Sequence, residues 1–493
     1  MIQGTHSNAG KSVITAAILR ILRNRGIKAA PFKAQNMALN SFVTSDGCEI
    51  GRAQAFQAEA AGCVPTVHMN PILLKPTGDS LSQVIIHGRP YGMMSASEYH
   101  SFKKEARRFV LESYLSLAKD YEVIVIEGAG SPAEVNLREN DLANMGIAEM
   151  CDSPVLIVGD IDRGGVFASI VGTLELLSEG ERERVKGFII NRFRGDIGLL
   201  RPGLEFLQKR TGKPVLGVVP YIKDIALPDE DSVSLDVSDN GKGGGADKIN
   251  IAVIKLPRIS NFTDFDPLKV DESVELRFIE NPEDISGADL VIIPGTKNTL
   301  GDLEWLKEKG FAEAIRGFHK AGGTVAGICG GFQMLGKRVS DPHAVESSIG
   351  SAEGLKLLDS ETTLKKEKAT FQVLAGLGSG SGIKGYEIHM GETASNEAPF
   401  STIKERNGKK VNIKDGSISK DLRVWGTYIH GLFENDGFRN QLLSELKRKK
   451  GIGAVSAGSY GSIKEAAIER LARTVEENID MEMLRGFIGL TGC

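Results

Sequence analysis

Cysteine is scarce in this chain: five in 493 residues, Cys48, Cys63, Cys151, Cys329 and Cys493, far apart and with no Cys-x-x-Cys pair. An odd, scattered set argues against a disulfide framework and against a zinc site, and fits a reducing cytoplasm. No apolar run approaches the roughly 18 residues of a membrane span, so no membrane partner is expected. The first residues carry no secretory signal pattern. Neither sign of charge dominates: 60 Lys and Arg stand against 64 Asp and Glu, a net −4. Such a balance gives no reason to expect nucleic acid or an anionic surface as partner.

What is present is a long chain of ordinary globular composition, 41% hydrophobic and 25% charged. It is too long for one core and calls for about two or three domains. The stretch that organises it is Gly327-Ile328-Cys329-Gly330-Gly331-Phe332-Gln333-Met334-Leu335, preceded by the apolar Thr324-Val325-Ala326. A buried strand that turns sharply into a helix through small residues holds one nucleophile clear of the sheet, with free backbone N–H groups beside it. A thiolate at a helix N-terminus is also stabilised by the helix dipole. The competing reading is a structural cysteine, because free cysteine is among the most buried residue types. About a hundred residues on, the stretch 424–431 offers a strand that ends in His430; nucleophile and base meet in space rather than along the chain.

A second motif opens the sequence. Gly4-Thr5-His6-Ser7-Asn8-Ala9-Gly10-Lys11-Ser12 has five residues between its first Gly and Gly-Lys-Ser, one more than the common phosphate-loop spacing. Backbone N–H groups along Gly4, Thr5 and Gly10 are expected to cradle ATP phosphates, Lys11 to reach the outer ones and the Ser12 hydroxyl to face Mg²⁺. Only Met1, Ile2 and Gln3 precede the loop, so its strand is expected to be short. The helix that follows is apolar almost all round, with Gly26 as its stop. Near-continuous apolar runs at 122–126, 154–158, 186–190 and 215–219 read as strands buried on both faces of a parallel sheet. Glu127 ends one of them, where ligands bind in doubly wound sheets, and is a candidate to hold Mg²⁺ with Ser12.

Between these lies an amide- and charge-rich surface, 29–55, carrying Lys33, Gln35, Asn36, Asp46 and Arg52. It suits a ligand rich in carboxylates and amides, or else is a solvated loop. Asp46 is a further candidate for Mg²⁺ or for general-base work, with a structural turn as its alternative. Residues 96–119 read as an amphipathic helix. Residues 236–248 are the clearest linker in the chain, and a new α/β pattern starts at 249. Residues 376–382, rich in Gly and Ser, read as a flexible loop, and His389 as a ligand contact or a packed strand residue. Residues 437–493 read as helices, with Ile463, Ala466, Ala467, Leu471, Ala472 and Val475 as a packing face.

Two of these motifs, Gly-Ile-Cys-Gly-Gly-Phe-Gln at 327–333 and Tyr-Ile-His-Gly at 428–431, resemble the glutaminase domain of glutamine amidotransferases. The first loop is similar to that of dethiobiotin synthetase-like enzymes, which phosphorylate a carboxylate. Phe-Lys-Ala-Gln-Asn-Met at 32–37, Gly-Arg-Ala-Gln at 51–54 and the stretches 69–76 and 83–88 resemble the cobyric acid synthase branch of the corrinoid amide synthase family. The resemblance implies an α/β architecture. A phosphate-loop, dethiobiotin-synthetase-like parallel-sheet domain (1–235) precedes the linker (236–248). A class I-like glutamine amidotransferase domain (249–436) and a helical C-terminal region (437–493) follow. It implies that Cys329 attacks glutamine and His430 moves the proton, with Gly295 and Gly330 N–H as the oxyanion hole. It also implies that Asn191 reads the nucleotide base and that Lys33, Gln35, Asn36 and Arg52 meet the corrinoid. The activity implied is ATP- and glutamine-dependent amidation of four peripheral carboxylates of adenosylcobyrinic a,c-diamide, giving adenosylcobyric acid. The alternatives are amidation earlier on the same ring, as in the a,c-diamide synthases, and a phosphate-loop switch that dimerises on nucleotide. The segment 32–41 speaks against the first. The second carries an extra signature Lys where His6 stands here. In the wider amidotransferase pattern the catalytic His is followed by Pro-Glu, whose Glu orients the imidazole. Here Gly431-Leu432-Phe433-Glu434 follows, which leaves Glu434 as a weak candidate for that task. Oligomeric state stays open.

Overall fold

The computed structural model describes residues 1–77, 81–223, 247–378, 380–453 and 458–490. The expected linker 236–248 falls outside them except for its last two residues, as do Cys493 and Ser379 of the Gly-Ser-rich stretch.

The apolar runs of the first half become a parallel sheet. Ile2–Gly4, Val155–Asp160, Val185–Phe193 and Val215–Pro220 lie side by side in that order. The parallel pair Ala29–Phe32 and Val123–Ile126 extends it through a bridge between Ile2 and Glu127. The first strand is indeed short, three residues, and all of them are buried. Helix Lys11–Asn24 buries ten of its fourteen residues, and Gly26, at φ 75°, turns the chain out of it. Helix Ala96–Asp120 starts in a reciprocal cap between Ser95 and Glu98, which satisfies two otherwise orphaned N–H groups. A small sheet, Gln35–Met37, Ile72–Pro76, Leu81–Ile86 and Arg89–Ser95, stands beside this core and carries the amide-rich segment.

The second half builds its own sheet. Val274–Ile279, Ile249–Ile254, Leu290–Ile293, Thr324–Ile328 and Val424–Thr427 are parallel, and Ser417–Ile418 closes the edge antiparallel. Against it lies a second sheet dominated by the long hairpin Ser360–Leu377 and Gly382–Ser395. The stretch 424–430 is not one strand. The chain leaves the first sheet after Thr427 and joins the second at Ile429–His430. Buried Asp415 fixes that change, accepting from Thr427 Oγ1 (2.5 Å) and Tyr428 N (3.0 Å).

The helical end of the chain serves both halves. Helix Asp436–Lys450 gives Phe438, Leu442, Leu443 and Leu446 to the second core. Helix Tyr460–Asn478 crosses back onto Lys11–Asn24, burying Ile468, Leu471, Ala472 and Val475 in the first core, with Ala467 buried beside them. Each large apolar side chain so buried contributes roughly 1.5–3 kcal/mol. Ala466, expected on that face, is exposed, and Ile463 is half-buried. Arg20 pins the crossing with a two-pronged bond to Glu465 (2.6 and 2.9 Å).

Candidate active site

Cys329 stands at the elbow between strand Thr324–Ile328 and helix Gly330–Leu335, at φ 52° and ψ −110°. A non-glycine residue there is strained by about 1–3 kcal/mol, a cost met at functional turns. The turn is possible because its neighbours are small: a Cβ on Gly331 would lie 1.9 Å from Ile293 O. The same closeness draws the loop after Leu290–Ile293 onto the elbow. A Cβ on Gly330 would meet Thr296 N at 3.2 Å, and one on Gly295 would meet His430 Cε1 at 3.3 Å. Gly295, Gly330, Cys329 and His430 thus converge. A small cavity of about 30 Å³ joins Cys329, Gly330 and His430 to Lys297, Gln333 and Glu346.

His430 is buried, and its orienting group is Asp264. Oδ2 of Asp264 lies 2.6 Å from Nδ1, and Oδ1 accepts from Gly431 N at 3.0 Å. Glu434, the sequence candidate for this task, points elsewhere, onto Arg52 at 2.6 Å. The correction has a physical reason: Gly431, at φ 73°, and the turn Leu432–Glu434 carry the Glu434 side chain away from the ring, while the turn Phe262–Phe265 brings Asp264 beneath it. The missed signal was a carboxylate just past the first strand of the second domain, where parallel sheets place functional groups. Burial pulls the imidazolium down. The charge and hydrogen bond of Asp264, with Cys329 adding to them, outweigh it and raise His430 to about 10. His430 and Cys329 line the same cavity. The arrangement is a thiol, an imidazole and a carboxylate in series, the arrangement of nucleophilic acyl transfer. His389 stacks on Tyr428 (centroids 3.8 Å apart), its Nδ1 bonds Gly391 O, and it also lines the cavity beside Cys329.

The first domain holds the other site. Gly10, at φ 103°, leads into helix Lys11–Asn24, so successive N–H groups face one concavity at a helix N-terminus. Lys11 Nζ spans the loop, donating to His6 O and Gly130 O, both at 3.0 Å. Ser12 Oγ donates to Glu127 Oε1 (2.8 Å), as does Lys33 Nζ (2.7 Å), and Gln57 Nε2 reaches Oε2 at 2.5 Å. A hydroxyl and a buried carboxylate beside a phosphate loop are hard oxygen donors that suit Mg²⁺ completed by phosphate and water. Among the described residues no group of three His, Cys, Asp or Glu side chains gathers as a metal cluster.

The remaining sequence candidates are placed as follows. Asn191 lies under the loop, its Nδ2 on Ala9 O (3.0 Å) and close against Gly10. Asp46 is an exposed turn residue between Ser41–Val43 and Glu49–Gly51, bonded to Thr44, and shares no partner with Ser12 or Glu127. Gln35 accepts from Tyr99 (2.8 Å), Asn36 donates to Gln54 (3.0 Å), and Arg52 crosses to Glu434 of the second domain.

Fold and site together define a glutamine amidotransferase joined to a nucleotide-binding domain. The CobQ/CobB/MinD/ParA nucleotide binding domain matches residues 1–235, and the CobB/CobQ-like glutamine amidotransferase domain matches 250–438. The chain is 50% identical to the cobyric acid synthase of Syntrophobacter fumaroxidans, over 99% of this chain and 98% of that one. It is 49% identical to that of Clostridium botulinum, over 99% of both chains, and 49% to that of Moorella thermoacetica, over 99% and 97%. The chain belongs to the cobyric acid synthase family, glutamine amidotransferase ligases of cobalamin biosynthesis. No helix among the described residues is long and apolar enough to cross a membrane.

Proposed function

We propose that this enzyme amidates four peripheral carboxylates of adenosylcobyrinic a,c-diamide to give adenosylcobyric acid, using ATP, Mg²⁺ and glutamine. The observation that carries the reading is the Cys329–His430–Asp264 series on the same chain as a phosphate loop whose Ser12 faces Glu127.

In the second domain Cys329 Sγ attacks the side-chain amide carbon of glutamine, with the proton held on His430, whose imidazolium Asp264 stabilises. The N–H groups of Gly295 and Gly330 hold the developing oxyanion. His430 protonates the departing nitrogen, ammonia leaves, and water hydrolyses the remaining thioester to glutamate. Lys297 and Glu346 suit the head of an amino acid. Burial lowers the Lys297 ammonium and raises the Glu346 carboxyl, each offsetting part of the other's shift, and the α-carboxylate and α-ammonium of glutamine would add counter-charges to both.

In the first domain the substrate carboxylate attacks the γ-phosphorus of ATP and ADP leaves. Lys11 would meet the outer phosphates, and Ser12 and Glu127 would hold Mg²⁺, which would offset the charge developing on the phosphates. Lys33 shares Glu127 with Ser12, which supports a role for its ammonium beside the reacting carboxylate. Ammonia then attacks the acyl phosphate, forming the amide and releasing phosphate. A carboxylate anion resists a nucleophile; its acyl phosphate does not. The test is a Cys329→Ser variant assayed with each nitrogen donor. It should lose glutamine-dependent amidation by more than about 10³-fold and keep amidation from ammonia. Loss with both donors would mean that Cys329 has another role, and ATP turnover indifferent to corrinoid in the native enzyme would favour the switch reading.

A further inference from the structure

The catalytic base of the second domain is held from the first. Ser41 N donates to Asn261 Oδ1 (2.8 Å), and Ser41 O accepts from Tyr386 OH (3.0 Å). Both recipients frame His430. The Tyr386 ring stacks on the imidazole, centroids 5.3 Å apart and 19° from parallel. Because Asn261 Oδ1 is taken by Ser41, its Nδ2 faces the ring, 3.4 Å from Nδ1 and too far to displace Asp264 at 2.6 Å. Asn261 keeps this pose from a left-handed backbone, φ 54°. The preceding residue does the same for the carboxylate: Asn40 Oδ1 accepts from Phe262 N (3.2 Å), at the head of the turn that carries Asp264.

The dipeptide is itself fixed. Ser41 Oγ donates to Glu49 (2.7 Å) and accepts from Lys75 (2.9 Å), and Lys368 of the second domain closes on the same Glu49. Asn40, Ser41, Asn261, Asp264, Tyr386 and His430 are each at most 5% exposed. One face of the ring, the contact at Nδ1 and the turn bearing the carboxylate are all referenced to two residues of the other domain. An imidazole works as a base only in one tautomer and orientation.

We propose that Asn40 and Ser41 are positioning residues for glutamine hydrolysis: the nucleotide-binding domain sets the working orientation of His430. The inference rests on the glutaminase reading of Cys329 and His430. It makes the second domain dependent on the first for its chemistry. It also links the two sites, since the segment holding Ser41 runs back to Lys33, which rests on Glu127 beside the phosphate loop.

The test uses the full chain with Asn40→Ala and the milder Tyr386→Phe, which removes only the bond to Ser41 O and leaves the stacked ring. Asn40→Ala is expected to lower kcat for glutamine hydrolysis about 10- to 100-fold, the usual effect of a small misplacement. KM for glutamine should move less than about threefold, as for an interaction that matters after binding. The loss should be confined to glutamine as donor. In an Asp264→Asn background the same change should cost little more, because the carboxylate it places has gone. Tyr386→Phe should follow in direction with a smaller loss. Full additivity with Asp264→Asn, or equal losses with glutamine and ammonia, would overturn the proposal. Glutamine hydrolysis that survives Cys329→Ser would instead overturn the reading beneath it.

Discussion

The phosphate loop and the thiol pocket are both active-site constructions, yet they are assembled in opposite ways. The loop is one stretch, Gly4 to Ser12, whose function lies in its own backbone: a left-handed Gly10, a helix N-terminus and a lysine folded over it. Glu127 and its partners, together with Gly130 and Asn191, come from afar. The thiol pocket has no such unit. Its proposed nucleophile, base, carboxylate and oxyanion donors come from four separate segments, and a fifth, Asn40–Ser41, comes from the other domain. A site made from local backbone survives changes at a distance, whereas a site made from long-range pairs depends on every segment that places one.

The largest expected effects separate the two sites cleanly. Lys11→Ala should abolish ATP-dependent amidation with either nitrogen donor, by more than about 10³-fold, because the charge on the outer phosphates is lost. Glutamine hydrolysis by the same protein should persist within about tenfold. Product formation and glutamate release measured side by side check both halves of the statement. A collapse of both activities together would mean that the loop also organises the thiol pocket, and the contrast would fail.

Next in size is Asp264→Asn, which should lower kcat for glutamine by roughly 10²- to 10⁴-fold through the wrong tautomer. It also carries a pH signature. The folded-state pKa of His430 is raised, to about 10. The stability this contributes is therefore fully present below the unfolded value of about 6.5 and is lost as pH rises through about 10. Denaturation midpoints of the two proteins should differ most near pH 6 and converge toward pH 10. A gap that stays constant across that range would mean that Asp264 does not act on the imidazole.

This carboxylate also marks the limit of what could be read beforehand. The phosphate loop, the elbow at Cys329 and the strand leading to His430 are legible because each is a run of neighbours with a steric or dipolar reason to exist. The two sheets follow from apolar runs in the same way. Asp264 lies 166 residues before His430 with no spacing rule to connect them. The small sheet at Gln35–Met37 was unreadable because a three-residue strand shows no periodicity. The change of sheet between Thr427 and Ile429 was hidden because Asp415, which enforces it, is joined to Thr427 only by the fold. Contacts that exist only in space leave no pattern along the chain.

Smaller, and aimed at the elbow itself, is Gly331→Ala. The new methyl would meet Ile293 O at 1.9 Å, and a carbonyl in a buried strand cannot yield as a side-chain tip can. Overpacking of this kind should cost at least about 2 kcal/mol, read as a lowered denaturation midpoint. The same change at Gly130, where a Cβ meets nothing within 4 Å, tests only backbone strain at φ 58° and should cost less.

The smallest effect decides the role of Arg52, which the sequence assigned to the corrinoid and the structure pairs with Glu434 across the domain boundary at 2.6 Å. The pair is partly exposed, 13% and 30% at the side chains, so its coupling should be only about 1 kcal/mol in a double-mutant cycle of Arg52→Met and Glu434→Gln. If Arg52 acts as an interdomain pin, both single variants lower stability alike and leave KM for the corrinoid within about twofold. If its guanidinium exchanges Glu434 for a substrate carboxylate, Arg52→Met raises that KM, while Glu434→Gln, which frees the arginine, lowers it. The sign of the Glu434→Gln change in KM distinguishes the two roles even where the stability effect is small. A fall in KM there would show that the first site, too, is completed by residues the second domain holds in place.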